Sequence, residues 1–404
     1  MIKGIKPDEA RDMLFDLPAS PVTETVAISD ALGRVAATDI NAVIPVPPFD
    51  RSPFDGYAFR GADTAAASRE NPVTLKITEE LPAGVAPTIA ITPGFAAKIL
   101  TGAPIPPGAD CTVKYETTEF TDTEVRIFKP VAPGSDVVYA GEDVKTGALA
   151  ARRGDVVTPP LMGLFASVGL SEIEVYKPPR AALIITGDEL TEPGEPLLPG
   201  KIYNSNAFTL SGYLRGQGVD AYNAGVVGDD AGLIAERIRE NLVKADIVIT
   251  TGGASVGDYD CAVRAAELLG AKILFWKALI KPGGAAVAAV LDGKLILSLS
   301  GNPGSSLMFL LRCGMPYIRK LCGRNDCIPE SVEVYLKHPF NKLSERSRLL
   351  RGQLEVIGGK AYFAEYGAQG GGDISSFVVA DLLAEIAADS APLPAWTLVK
   401  AWRL

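Results

Sequence analysis

The run Ile247-Val-Ile-Thr-Thr-Gly-Gly-Ala-Ser-Val-Gly-Asp-Tyr-Asp260 carries the residue types best suited to chemistry in this chain. A short β-branched stretch breaks into a loop with glycines at 252, 253 and 257, and an amphipathic stretch from Cys261 to Leu269 follows. Strand, glycine loop and helix in that order place free backbone N–H groups at the carboxyl edge of a parallel sheet, where an anion binds. Glycine lets the backbone approach a phosphate because no Cβ intervenes. Asp258 and Asp260 would repel that phosphate unless a divalent cation or a proton donor lies between them, so the run reads as a phosphate-plus-metal site. Asp260 serves equally well as the N-cap of the next helix, and the loop matches neither the Walker pattern nor G-x-G-x-x-G.

Other polar stretches fall where the same sheet would put its ligand edge. Ala181–Ile185 runs into Thr186-Gly-Asp-Glu-Leu190, Ala221–Val227 into Gly228-Asp-Asp230, and Leu295–Leu299 into Ser300-Gly-Asn-Pro-Gly304. Each acid alone reads first as a helix cap or a solvated loop. Three acidic strand ends beside one glycine loop fit a magnesium-assisted phosphate site. Lys277 and Lys281 supply positive charge nearby, or form a solvated pair at four-residue spacing. Pro47-Pro-Phe-Asp-Arg-Ser-Pro-Phe-Asp-Gly-Tyr-Ala58 is too rich in proline for regular structure, and reads equally as a functional loop or a rigid linker.

The elements that position these residues follow from pattern and composition. With 404 residues and 47% apolar content, the chain is expected to form two to four domains. A net charge of −9 spread along the chain argues against nucleic acid as the main partner. Five cysteines without a C-x-x-C pair and a single histidine, His338, remove the usual zinc constellations and leave carboxylate metal sites open. No apolar leader and no long uninterrupted apolar run is present, so a soluble cytoplasmic protein away from membranes is expected. Pro7–Leu17 has helical spacing, and 71–139 reads as short alternating strands of a small all-β unit. The stretch 180–325 alternates strand and helix, which predicts a mostly parallel sheet covered on both faces, with helices at Ala207–Arg215, Ala231–Val243, Cys261–Leu269 and Ser305–Lys320. Asp292-Gly293 predicts a hairpin, and the chain from about 330 reads as an antiparallel barrel or sandwich.

Taken together, Phe54-Asp-Gly-Tyr-Ala58, Leu100-Thr-Gly-Ala-Pro104, Gly141-Glu-Asp143, Thr186-Gly-Asp-Glu-Leu190, Thr251-Gly-Gly-Ala-Ser-Val-Gly257, Lys281-Pro-Gly283 and Gly301-Asn-Pro303 resemble one family. It is the MoeA-type molybdopterin molybdenumtransferases, related to the E domain of gephyrin, and the resemblance spans essentially the whole chain. It implies four parts: a discontinuous N-terminal α+β domain (1–46 with 141–178), an inserted β domain (47–140), a three-layer α/β molybdopterin-binding domain (179–326) and a C-terminal β-barrel (327–404). It also implies a homodimer whose cleft lies between one subunit's α/β domain and the other's inserted domain. The implied reaction joins molybdate to adenylylated molybdopterin and releases AMP with the aid of Mg2+ or another divalent cation. The molybdopterin adenylyltransferase would be an encounter partner.

Carried over residue by residue, the resemblance gives catalytic roles to Asp55, Thr101, Glu116, Asp143, Glu189, Asp229 and Asp260, with Glu189 and Asp229 at the metal. Gly252, Gly253, Ser255, Asp258, Lys277, Lys281, Asn302, Pro303 and Arg351 would bind substrate, the lysines and Arg351 by attracting molybdate and pyrophosphate oxygens. The chain departs from the family pattern at Gly284-Ala285, where a basic residue and proline are usual. It departs again at Ser300 in place of proline, and at Gln369-Gly-Gly-Gly372, which lacks a histidine and a serine. Two alternatives remain: a pterin-binding scaffold without catalysis, and a nucleotide pyrophosphatase or amidase resembling the competence-damage-inducible proteins.

Overall fold

Between 180 and 321, apolar β-branched runs alternate with amphipathic ones, and the computed structural model folds them as alternating strands and helices. The structure describes residues 1–253, 261–390 and 392–404. Its largest sheet contains β1 (Ile2–Ile5), β2 (Arg180–Thr186), β3 (Asp220–Val227), β4 (Ile247–Thr251), β5 (Lys272–Ala278), β6 (Ala286–Leu291) and β7 (Lys294–Leu299). The order across the sheet is β1-β5-β6-β7-β4-β2-β3. Every strand is parallel to the others except β6, which joins β7 through the expected hairpin at Asp292-Gly293.

Alternation along each strand divides its side chains between two cores, as the two-residue period of a strand requires. Leu183, Ile185, Ile249 and Leu297 face one flank, with α1 (Pro7–Phe15), α2 (Asn206–Arg215) and the helical run beginning at Pro303. Ala182, Ile184, Val248 and Ile296 face the other, with α3 (Ala231–Leu242) and α4 (Cys261–Leu269). Three layers result. The helix expected over 305–320 is built in three pieces, α5 (Pro303–Phe309), a π turn (Leu310–Gly314) and α6 (Met315–Leu321). Pro316 lacks the N–H that an unbroken α-helix needs there, and the wider turn before it absorbs the defect.

Residues 1–15, grouped by the sequence reading with the first unit, instead add β1 and α1 to this large sheet. Ile5, Ala10 and Leu14 are buried in its core. The discontinuous unit proper pairs Thr23–Ala27 with Glu172–Tyr176 and Ile40–Asn41 with Leu149–Ala151 around a core that includes Phe165 and Val175. Its stem to the inserted unit is the pairing of Val46 with Val144.

The inserted unit is a six-stranded sheet ordered 111–114, 56–59, 95–99, 73–81, 124–127, 118–120. The proline-rich segment was expected to be irregular throughout, yet Gly56–Phe59 is a fully buried inner strand between Phe95–Ile99 and Cys111–Lys114. Burial of Tyr57 and Phe59 in the local core outweighs the weak local signal. At the C-terminal end, strands Ser347–Ile357, Lys360–Glu365, Ser331–Leu336, Leu398–Arg403 and Leu382–Ile386 close on themselves through the pairing of the first with the last, which makes a barrel rather than a sandwich. Ile280–Lys281 adds a parallel strand beside Ser347 and Arg348, tying the α/β unit to the barrel. Among the described residues no helix is long and apolar enough to cross a membrane.

Candidate active site

Four neighbouring parallel strands, β7, β4, β2 and β3, end on the same side of the large sheet, and each runs directly into one of the polar stretches. Gly252 has φ of +92° and sits so close to the end of β2 that a Cβ would lie 2.2 Å from the Thr186 carbonyl oxygen. Only glycine fits there, and it draws the loop down onto the strand. The Asn206 side-chain N–H donates to the Gly301 carbonyl at 2.8 Å and to the Thr251 hydroxyl at 3.3 Å, stitching two strand ends together. Asn206 Oδ1, buried on this edge, has no hydrogen-bond partner among the described residues, and the Thr186 side chain faces Asp229. Ser255, Asp258 and Asp260 lie outside the described residues.

Carboxylates gather at the β2 and β3 end. Burial raises the Asp229 carboxyl above its ordinary range, and the charges of Glu189 and Asp188 push it further in the same direction. Such a cluster of like charges suits a divalent cation. Among the described residues no group of three or more His, Cys, Asp or Glu is close enough to hold one unaided. Asp230, beside Asp229, is spent as the N-cap of α3, accepting from the Leu233 N–H at 2.9 Å.

Cations gather at the opposite end, beyond β5. Lys277 adopts a left-handed backbone, φ +67°, uncommon for a side-chain-bearing residue, with its ammonium 4.5 Å over the Trp276 ring. Lys281 pairs in register with Arg348, whose buried Nε has no hydrogen-bond partner among the described residues. The Arg346 guanidinium lies 3.6 Å from where a Gly284 Cβ would stand. Among the described residues none of these four cations forms an ion pair. Arg346 and Arg348 escaped the sequence reading; their positions on either side of Ser347, where the strand begins, were the available signal. The edge is therefore polarised, with acids at one end, glycine turns in the middle and cations five strand steps away, roughly 24 Å at ordinary strand spacing.

Arg351 does not belong to this set. It is fully buried, and its guanidinium donates to the carbonyls of Asp373, Ala368 and Gly370 at 2.8, 2.9 and 3.1 Å. It holds the 368–373 loop, whose Gly371 carbonyl accepts from the Ser305 N–H just past Asn302 and Pro303. The departure at Gly284 also has a steric basis, because a Cβ there would lie 2.7 Å from the carbonyl oxygens of both Ala278 and Ile280.

A second cluster stands on the inserted unit. Asp55 Oδ1 accepts from the Thr101 N–H and hydroxyl, both at 2.7 Å, and these bonds hold its carboxyl below the usual range. Glu116 is exposed on the turn Tyr115–Thr117 beside it, and Tyr115 N–H donates to the Asp55 carbonyl. Asp143 lies on the stem, its N–H donating to Val46. Among the described residues no hydrogen bond or ion pair links this cluster to the α/β edge.

Comparison with known proteins supplies the family context. Residues 5–169 match the family described as "MoeA N-terminal region (domain I and II)", and 182–320 match "Probable molybdopterin binding domain". The chain is 33% identical over 343 residues to a molybdopterin molybdenumtransferase of Staphylococcus aureus (strain COL), covering 85% of this chain and 82% of the relative. It is likewise 33% identical to that of Bacillus subtilis (strain 168), covering 93% and 88%. The crystal structure of a molybdopterin biosynthesis MoeA protein from Pyrococcus horikoshii superimposes with a TM-score of 0.84 at 31% identity, covering 99% of both chains.

Proposed function

The chain belongs to the MoeA-type molybdopterin molybdenumtransferases and is thus an enzyme of molybdenum cofactor biosynthesis; from that premise we propose that it joins molybdate to adenylylated molybdopterin, releases AMP and requires a divalent cation. The observation that carries the reading is the polarised edge: carboxylates at the ends of β2 and β3, a close-packed glycine turn at β4, and unpaired cations beyond β5. A single elongated substrate with a phosphate at one end and an oxyanion at the other fits that separation of charge.

Glu189 and Asp229 would hold the cation, with Asp258 and Asp260 as further donors outside the described residues. The bound cation would supply charge neutralisation for pyrophosphate oxygens. The close-packed glycines Gly252 and Gly253 would let the phosphate approach the backbone, since no Cβ intervenes. Lys277, Lys281, Arg346 and Arg348 would concentrate molybdate, since strong positive charge without local partners favours an oxyanion. Asp55, kept ionised by Thr101, would orient the attacking water, with Glu116 and Asp143 beside it. That contribution would come from a second copy of the chain across a dimer seam, a reading supported by the lack of any bond between the Asp55 cluster and the α/β edge among the described residues.

The test is AMP release from adenylylated molybdopterin with molybdate, with and without a chelator. Asp229→Asn is expected to cut turnover by at least about a hundredfold, the scale of a lost charge-positioning group. The same change relieves repulsion from Glu189 and Asp188, so the melting temperature in metal-free buffer should hold or rise. Release that ignores both the chelator and the substitution would end the reading. Absence of any release from the unaltered protein would favour the scaffold alternative.

A further inference from the structure

Lys277 departs from the strand that carries it. β5 pairs with β1 at Trp276 with Lys3 and at Ala278 with Ile5, and between those pairs stand Lys277 and Gly4, with φ of +67° and +77°. Side chains along a regular strand alternate between the two faces of the sheet, so neighbours do not meet. At Lys277 the left-handed backbone suspends that alternation, and the ammonium comes back to 4.5 Å from the centre of the Trp276 ring. Lysine does not favour such a backbone, so its surroundings must hold it there.

The ring is what the local cations share. Lys3, exposed on the neighbouring strand, also places its ammonium 4.5 Å from the Trp276 ring centre. Two like charges converge on one ring only if something attracts both, and the negative face of an indole does so more strongly than any other aromatic side chain. Trp276 and Lys277 are both half-buried, where that attraction is worth more than at a fully solvated place. A lysine side chain left to itself carries large rotamer freedom, which a ligand must remove on binding. Fixing the ammonium beforehand takes that cost out of the binding step.

We propose that Trp276 is a positioning residue for oxyanion binding, its ring face holding the Lys277 ammonium ready for molybdate. The proposal rests on the reading of Lys277 as a molybdate ligand and adds the group that fixes it. Trp276 acts through the cation rather than on the oxyanion itself. A ring that served only as packing would be replaced equally well by any apolar side chain that fills the space, whereas a ring that holds a cation depends on the electron density of its face. The two roles therefore part under substitutions that keep the shape and change the electronics.

The experiment uses the full chain and titrates it calorimetrically with molybdate alone. Site-specific replacement of Trp276 by mono-, di- and trifluorinated tryptophan drains the ring face of electron density with little change of shape. Affinity for molybdate is expected to fall stepwise along that series, to about fivefold at its end, with the melting temperature unchanged. Where AMP release is measured, the KM for molybdate should rise in parallel while kcat is kept. Trp276→Leu should weaken binding by about tenfold and Trp276→Phe by less. In a Lys277→Ala background the fluorinated series should have no further effect, which separates Lys277 from Lys3. The proposal is overturned if the unaltered chain or Lys277→Ala shows that Lys277 binds no molybdate, if fluorination leaves affinity unchanged, or if its effect persists undiminished without Lys277. Graded molybdate binding in a chain that releases no AMP would end the proposed reaction and leave this role standing, so the two failures are read separately.

Discussion

Arg351 is among the largest side chains fully buried in the protein, and its charge is spent on backbone carbonyls of one loop and on the Phe377 ring 4.9 Å away. A residue of that kind acts through what it holds. Arg351→Met should cost about 3 kcal/mol, the scale of losing several charge-assisted bonds in a buried place. Denaturant unfolding measures the loss. A pure ligand role would leave stability intact and raise only the KM for molybdate. Asp55 and Thr101 show the reverse relation: two separated motifs named both residues, and folding joins them through both Thr101 donors. Asn206 and Arg348 were invisible in sequence for one reason: an isolated Asn or Arg has no pattern until a neighbouring strand end supplies its partner or withholds one.

The 280–284 segment shows how an element sets the choice of residue. It pairs with the barrel at Arg348 and turns back so tightly that Gly284 has carbonyls where a side chain would begin. Restoring the usual basic residue, Gly284→Lys, should therefore destabilise the fold and lower activity. Arg346→Ala should raise the KM for molybdate with little change in stability, because Arg346 already occupies that neighbourhood. Steady-state kinetics beside melting curves check both. The π turn is a second such element, placing Arg312 between Asp8 on α1 and Glu385 on the barrel. Burial alone would raise the Asp8 carboxyl, but the Arg312 bond and the charges of Arg312, Arg11 and Lys400 bring it below its ordinary value of 3.8. A depressed folded pKa means stability that is present above the unfolded value and lost as pH falls through the folded one. Asp8→Asn should thus be less stable than the unaltered protein at pH 7, and the two should converge as pH falls through the depressed Asp8 pKa, below the ordinary carboxylate value. A gap that persists in acid would show that the charge is not what matters.

At the scale of the whole molecule, the two polar clusters belong to different units, and a subunit seam is the proposed way to join them. The prediction is specific. Asp55→Ala and Asp229→Ala are each expected to be inactive alone, yet a mixed dimer would contain one intact site and one doubly altered site. Co-expressed mixed dimers should recover about half the unaltered activity per dimer. No recovery would place both residues in one chain's site. Sequence alone determined the periodic elements of 180–321, the glycine turn and the acids at strand ends, because backbone period and glycine's missing Cβ act locally. It also carried the family likeness, through motifs distributed along the chain. Tertiary structure decided what needs distant partners: that β1 joins the large sheet, that Gly56–Phe59 becomes an inner strand, that Arg351 is a structural tie, and that acids and cations lie at opposite ends of one edge. Each depends on burial or on charge brought close by folding, and neither quantity is defined until the chain has folded.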